Sequence, residues 1–283
     1  MGEMMFGFLS RNLVLKGYSS TQFAIFRMIF GGYLFFHFFS LINYSEAIWG
    51  RNGMFPEASL NMTYPYFPNI LFIWDSPLVS HIVIVLIGMA ALGICLGVWR
   101  PMLSLYLWYG WACLFHRNNL ILNPSVPIVG WLLLALAIIP TGERWVLGKK
   151  EDPNWGMPSI LIVGAWVIMG VGYMVSGLDK CLSPSWQNGT AIFHLLNNPL
   201  ARDTALREFC LGLDLFYFKV LTFSTLTLEM VFGILCLFKK SRPLAWIAMC
   251  GFHLGILLLV DFADLTIGVM MIHLFVIETE WVT

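Results

Sequence analysis

Two groups of polar residues interrupt an otherwise strongly apolar chain, and both could handle protons. The first centres on Glu229, inside Phe223-Ser224-Thr225-Leu226-Thr227-Leu228-Glu229-Met230, with Thr225 one turn earlier on the same helical face. His253 lies in the next apolar stretch, while His37 and His273 lie in the first and last, and Arg27 sits in the inner part of the first. Burying such groups unpaired in hydrocarbon costs several kcal/mol, so they are candidates for catalysis or for a buried pair. The plainer reading pairs Glu229 with a His or Arg, or has each His bond a backbone carbonyl.

The second group is Asp179-Lys180, followed by the polar run from Ser183 through Trp186, Gly189 and Ala191. Arg117-Asn118-Asn119, Asp261 and Asp264 are expected at the same depth on the same side. A Lys held beside apolar helix ends and aromatic rings can serve as a general base near neutral pH. The alternative is a snorkelling Lys paired with Asp179.

The elements that must position these groups are membrane helices. Hydrophobic residues make up 59% of the 283 residues and charged residues 11%, with a mean hydropathy of +0.78; soluble chains carry about 25% charge. Sixteen Lys and Arg balance sixteen Asp and Glu, leaving no net charge to track a phosphate backbone, so no nucleic-acid partner is expected. Twelve Trp fit rings at a bilayer interface. The six Cys show neither CxxC nor zinc spacing, and no metal site is expected. The first twenty residues hold an apolar run too short and broken for a cleaved signal peptide.

Windows of apolar residues bounded by charge, Pro or Gly predict about eight transmembrane helices, near 22–43, 78–98, 101–115, 125–140, 157–177, 216–238, 242–260 and 265–277. The third and fourth are short and could form a hairpin reached from one side. The fold class expected is all-α, a polytopic integral membrane helical bundle, with residues 1–283 as a single domain.

Charge placement orients it. With the N-terminus inside, Arg11, Lys16, Arg100, Arg144, Lys149, Lys150, Lys239, Lys240 and Arg242 fall in inside segments, nine against six outside. Both termini are then cytoplasmic, and the aromatic-rich loops 44–77 and 178–214 lie outside, expected to fold down and cap a cavity.

The stretch Met174-Val175-Ser176-Gly177-Leu178-Asp179-Lys180, with Trp186, Gly189 and Ala191 after it, resembles the Gly, Lys and Trp-x-x-Gly pattern of the vitamin K-dependent γ-carboxylase transmembrane domain, shared by the horizontally transferred transmembrane (HTTM) family of bacteria. Arg27, Ile139-Pro140-Thr141-Gly142-Glu143-Arg144-Trp145 and Phe252-His253 fit the same resemblance, which runs from Gln22 to the last span. It implies that Lys180 acts as the base on a vitamin K hydroquinone-like lipid, with His253 and Glu229 in the catalytic set and Arg117, Asn118, Trp186 and His253 lining the quinone pocket. One extra residue separates Lys180 from Trp186, and Asp179 stands where the family has a first Lys. The large lumenal carboxylase domain is not expected in this chain, nor is carboxylation of a protein substrate by the chain alone.

Two readings follow. One is a membrane enzyme, a quinone-dependent oxidoreductase or carboxylase-like protein, working at the outer face of a bacterial inner membrane. The alternative is a non-catalytic membrane factor, or partner subunit, for maturation or export of a peptide or protein. No repeated half with matching broken helices supports a transporter. Cys181 and Cys210, the cysteines outside the spans, could pair in an oxidising compartment or remain packed thiols. Asn61-Met62-Thr63 and Asn188-Gly189-Thr190 match the glycosylation sequon and are read as chance.

Overall fold

A computed structural model describes residues 17–278 apart from Met62, Pro65 and Asp75, together with Trp281. Arg11 and Lys16, used above for orientation, lie outside the described residues. The fold is all-helical there, with one isolated antiparallel bridge between Ala201 and Val260.

Eight helices of at least 13 residues appear among the described residues, close to the eight apolar windows. They are α1 (Ser20–Leu41), α2 (Pro77–Leu96), α3 (Arg100–Arg117), α4 (Ser125–Ile138), α5 (Ser159–Cys181), α6 (Leu215–Leu237), α7 (Arg242–Leu259) and α8 (Ala263–Phe275). Among the described residues five stretches are long and apolar enough to cross a membrane: Ser20–Trp49, which extends α1, and helices α2, α5, α6 and α7. Helices α4 and α8 are apolar but shorter.

Local chemistry sets the helix ends. Ser19 caps α1 by accepting from the Gln22 N–H at 3.0 Å, and Asp214 caps α6 by accepting from the Phe216 N–H at 2.8 Å. Pro77, Pro101 and Pro243 each occupy a first turn, where no N–H is needed. Helix α2 stops at Gly97, whose φ of +75° suits a residue without a Cβ.

The chain forms two compact units, divided between Ser159 and Ile160. In the first, Arg27 on α1 donates to Ile94 O at 2.9 Å and Trp145 O at 2.9 Å, and also to Cys95 O. Its Nε lies 3.3 Å from Glu143, which Arg100 reaches at 3.0 Å. Arg100 also donates to Leu136 O, to Ile139 O at 3.0 Å and to Pro140 O at 2.7 Å. Two guanidinium groups and one carboxylate, all buried, thus hold the C-terminal ends of α2 and α4, where carbonyls lack partners and helix dipoles are negative. A Cβ on Gly97 would come within 2.9 Å of the Arg27 guanidinium carbon, a second reason for glycine there.

At the other end of this unit the 44–76 segment is pinned onto α3. Trp49 Nε1 donates to Leu114 O at 3.0 Å, Asn69 Nδ2 to Cys113 O at 2.8 Å and Asn61 Nδ2 to His116 O at 2.7 Å. Asn61 is buried, with its amide nitrogen engaged by His116 O. The segment leaves an open cleft of about 450 Å³ between Tyr64, Ile73, Trp74 and Tyr109.

In the second unit α5 and α6 run antiparallel in close approach. A Cβ on Gly170 would sit 3.3 Å from Gly233 Cα, and one on Gly233 would sit 2.9 Å from Gly170 O. Small residues let two backbones meet where no water drives them together. The opposite face of α5 carries Ile160, Val163, Val167, Val171, Val175 and Leu178, all exposed. A helix apolar on both faces is compatible with a lipid environment.

Cys181 and Cys210 are both free thiols, the second of the two alternatives left open by the sequence. Cys181 closes α5, whereas Cys210 lies within the separate short helix Ala205–Leu211.

Candidate functional site

The close α5–α6 contact brings together residues 49 apart in sequence. Lys180 Nζ donates to both oxygens of Glu229, at 2.9 and 2.7 Å, and to Ser176 Oγ at 2.6 Å. Ser176 in turn lies 3.4 Å from Glu229 Oε2. The Glu229 side chain is only 4% exposed and that of Lys180 is 23% exposed. Helical spacing explains the grouping: Tyr173, Ser176, Gly177 and Lys180 follow one another at three- and four-residue steps, on one face of α5. Gly177, where a Cβ would meet Met230 Sδ at 2.9 Å, keeps that face close to α6.

Lys180 therefore does not snorkel against Asp179; it turns inward to a buried carboxylate. The plainer reading of Glu229 as one half of a buried pair holds, but its partner is Lys180 rather than a His or Arg. Thr225 was the neighbour expected from spacing along α6; the hydroxyl actually joining the pair is Ser176, from the facing helix.

Trp186 closes the group from outside. The segment after α5 turns back through the short helix Pro184–Gln187, anchored where Gln187 Nε2 donates to Cys181 O at 2.8 Å. This sets the Trp186 ring 5.3 Å from Lys180 Nζ, within cation–π range. The rest of the 184–214 segment is fixed against the α7–α8 turn by the bridge at Ala201 and by Arg202, which lies 3.3 Å from Asp261.

His253 belongs to a different cluster of the same unit. Its Nε2 lies 2.7 Å from Tyr173 Oη, and the same oxygen lies 2.7 Å from His273 Nε2. All three side chains are buried, and Phe232 packs edge-on against the rings of Tyr173 and His273. The expectation that each His bonds a carbonyl is replaced by a phenol shared between two imidazoles. Tyr173 gave no signal by residue type; its place on the Ser176–Lys180 face of α5 was the available clue.

Arg117 and Asn118 lie in the first unit. Arg117 donates to Phe55 O at 2.6 Å and Gly50 O at 3.1 Å, and Asn118 Nδ2 to Ile48 O at 2.7 Å. Asn118 Oδ1 also accepts from the Leu120 N–H at 3.0 Å. These bonds hold the loop after α1 against the end of α3. Among the described residues no group of three or more His, Cys, Asp or Glu is placed to hold a metal ion.

Chemically, the Lys180 group is a compact ion pair at the C-terminal end of α5. With its proton on, Lys180 cannot accept another; the basic atoms are the Glu229 oxygens, and Lys180 can stabilise an anion formed beside it. No family model matches the chain, and no characterised protein and no solved structure matches it.

Proposed function

We propose that this chain is a membrane-embedded proton-transfer enzyme similar to the HTTM family, in which the Lys180–Glu229 pair takes a proton from a hydroxyl of a hydroquinone-like lipid. The observation that carries the reading is the ammonium of Lys180 bracketed by the Glu229 carboxylate, Ser176 and the Trp186 ring. That donor set suits a phenolic hydroxyl: a carboxylate accepts its proton, an ammonium stabilises the oxyanion left behind, and an indole offers a stacking face. When bound, such a lipid supplies two acidic hydroxyls and a pair of reducing electrons. The chain's own part is to orient the ring, receive the proton at Glu229 and offset the oxyanion with the Lys180 ammonium.

The accompanying arrangement is eight spans with both termini cytoplasmic in a bacterial inner membrane. It is supported by the near match of helices and apolar windows, and by Arg27, Arg100 and Glu143 gathering at one end of the first unit. Reporter fusions placing the Arg144–Asn154 loop outside would overturn it.

A second reading has its own observation. The three protons of Lys180 meet three acceptors, which also suits a purely structural lock in a non-catalytic factor for peptide maturation or export. Organic extraction of the protein purified in mild detergent decides between them. An isoprenoid quinone recovered in stoichiometric amount, and reduced at least tenfold in Glu229→Gln, is the expected result; its absence together with a co-purifying peptide supports the second reading.

A further inference from the structure

Tyr173 Oη stands 2.7 Å from the Nε2 of both His253 and His273. A phenol has one proton to donate, and a neutral imidazole carries one N–H. One ring must therefore accept the phenolic proton at a bare Nε2, while the other donates an Nε2–H to the same oxygen. The two rings are then opposite tautomers, one with its proton on Nδ1 and the other with a bare Nδ1. Neither Nδ1 has a hydrogen-bond partner among the described residues, although His253 is 3% and His273 0% exposed. Leaving two such atoms unpaired is costly, and native interiors rarely do so without a use for them.

We infer that Tyr173, His253 and His273 form a proton relay whose two Nδ1 atoms are its ends. When local opening admits water to the two buried Nδ1 atoms, a hydronium proton binds the bare Nδ1 of one ring, for instance His273. Its Nε2–H passes to Tyr173 Oη, the phenolic proton passes to Nε2 of His253, and the Nδ1–H of His253 leaves to water. Within the triad three N–H or O–H bonds form and three break, no electron moves, and one proton enters for one that leaves. Afterwards each ring holds the opposite tautomer and the hydroxyl points the other way. The next proton then travels in the reverse direction unless the groups reset by rotation.

The triad lies on the α5 face that carries Lys180 seven residues further on, about 10 Å along the axis. The inference rests on the triad alone and not on the reading of Lys180 as part of a base. A structural hydrogen-bond cluster and a relay differ in one respect: in the first each ring keeps one tautomer, whereas in the second both rings exchange tautomers together.

The test is nitrogen-15 NMR of the full chain, labelled at histidine, in lipid nanodiscs. The relay requires His253 and His273 to interconvert between their neutral tautomers at one common rate, slowed several-fold in deuterium oxide. Tyr173→Phe, which keeps the ring and removes the hydroxyl, abolishes the coupled exchange. One fixed tautomer per ring, a permanently charged ring, or exchange that survives Tyr173→Phe overturns the inference. If that variant does not fold, the wild-type isotope effect decides alone, and equal rates in the two solvents overturn it.

Discussion

Glu229 presents both carboxylate oxygens to Lys180 Nζ, at 2.9 and 2.7 Å, from a side chain that is far more buried than its partner's. The asymmetry makes the two single substitutions unequal. Lys180→Ala leaves an uncompensated carboxylate among apolar side chains and is expected to cost about 3 kcal/mol, near the lower end for breaking a buried pair. Glu229→Gln leaves a cation that can swing toward the interface and should cost about 1 kcal/mol. Lys180→Met with Glu229→Leu recovers most of the loss. Denaturant unfolding of the four proteins in one detergent checks the order; equal losses for the singles would contradict it.

The charge cluster of the first unit makes a sharper contrast. Glu143→Gln leaves Arg27 and Arg100 buried without their shared carboxylate and should cost about 3–5 kcal/mol. Its neighbour Arg144, half-exposed in a pair with Glu151, should contribute only about 0–1 kcal/mol when replaced by Ala. Parallel melting curves of Glu143→Gln and Arg144→Ala measure the difference.

Gly233→Ala tests the helix contact that builds the Lys180 group. The added Cβ meets Met174 Sδ, which can move, and Gly170 O at 2.9 Å, which is backbone and cannot move without shifting α5. Overpacking of this kind costs about 1–3 kcal/mol. Gly172→Ala, where no atom lies within 4 Å of the new Cβ, should be stable or slightly stabilised. Thermal unfolding of the two variants should separate them.

Cys181 and Cys210 should both take up an alkylating reagent when the protein is prepared without reductant. Intact-mass measurement counts the modified thiols; a species lighter by two hydrogens and refractory at both positions would indicate a disulfide.

The helices were legible because an apolar window bounded by Arg, Pro or Gly is a local property: α3 begins at Arg100-Pro101 and α7 at Arg242-Pro243, close to where the windows open. The Lys180–Glu229 pair was not, since nothing in a single chain registers α5 against α6. Both residues were visible as candidates, but their partners had to be guessed. Glu143 shows the same limit, lying in a recognisable stretch whose two guanidinium partners sit on α1 and α3. Tyr173 escaped because a tyrosine in an apolar helix is unremarkable by composition. Only its three-residue step to Ser176 and seven-residue step to Lys180 marked the polar face.

The bonds of Arg27 also dictate an order of manufacture. Its guanidinium belongs to α1, which is made before α2, α3 and α4, yet its partners are Ile94 and Cys95 at the end of α2 and Glu143 and Trp145 after α4. An unpaired arginine within a helix costs about 2.5–3.5 kcal/mol at the insertion machinery. Helix α1 must therefore wait with Arg27 held toward the headgroups while three more helices are made. Its guanidinium is fully partnered only when the Glu143 carboxylate arrives, so of these four helices the one made earliest completes its contacts last.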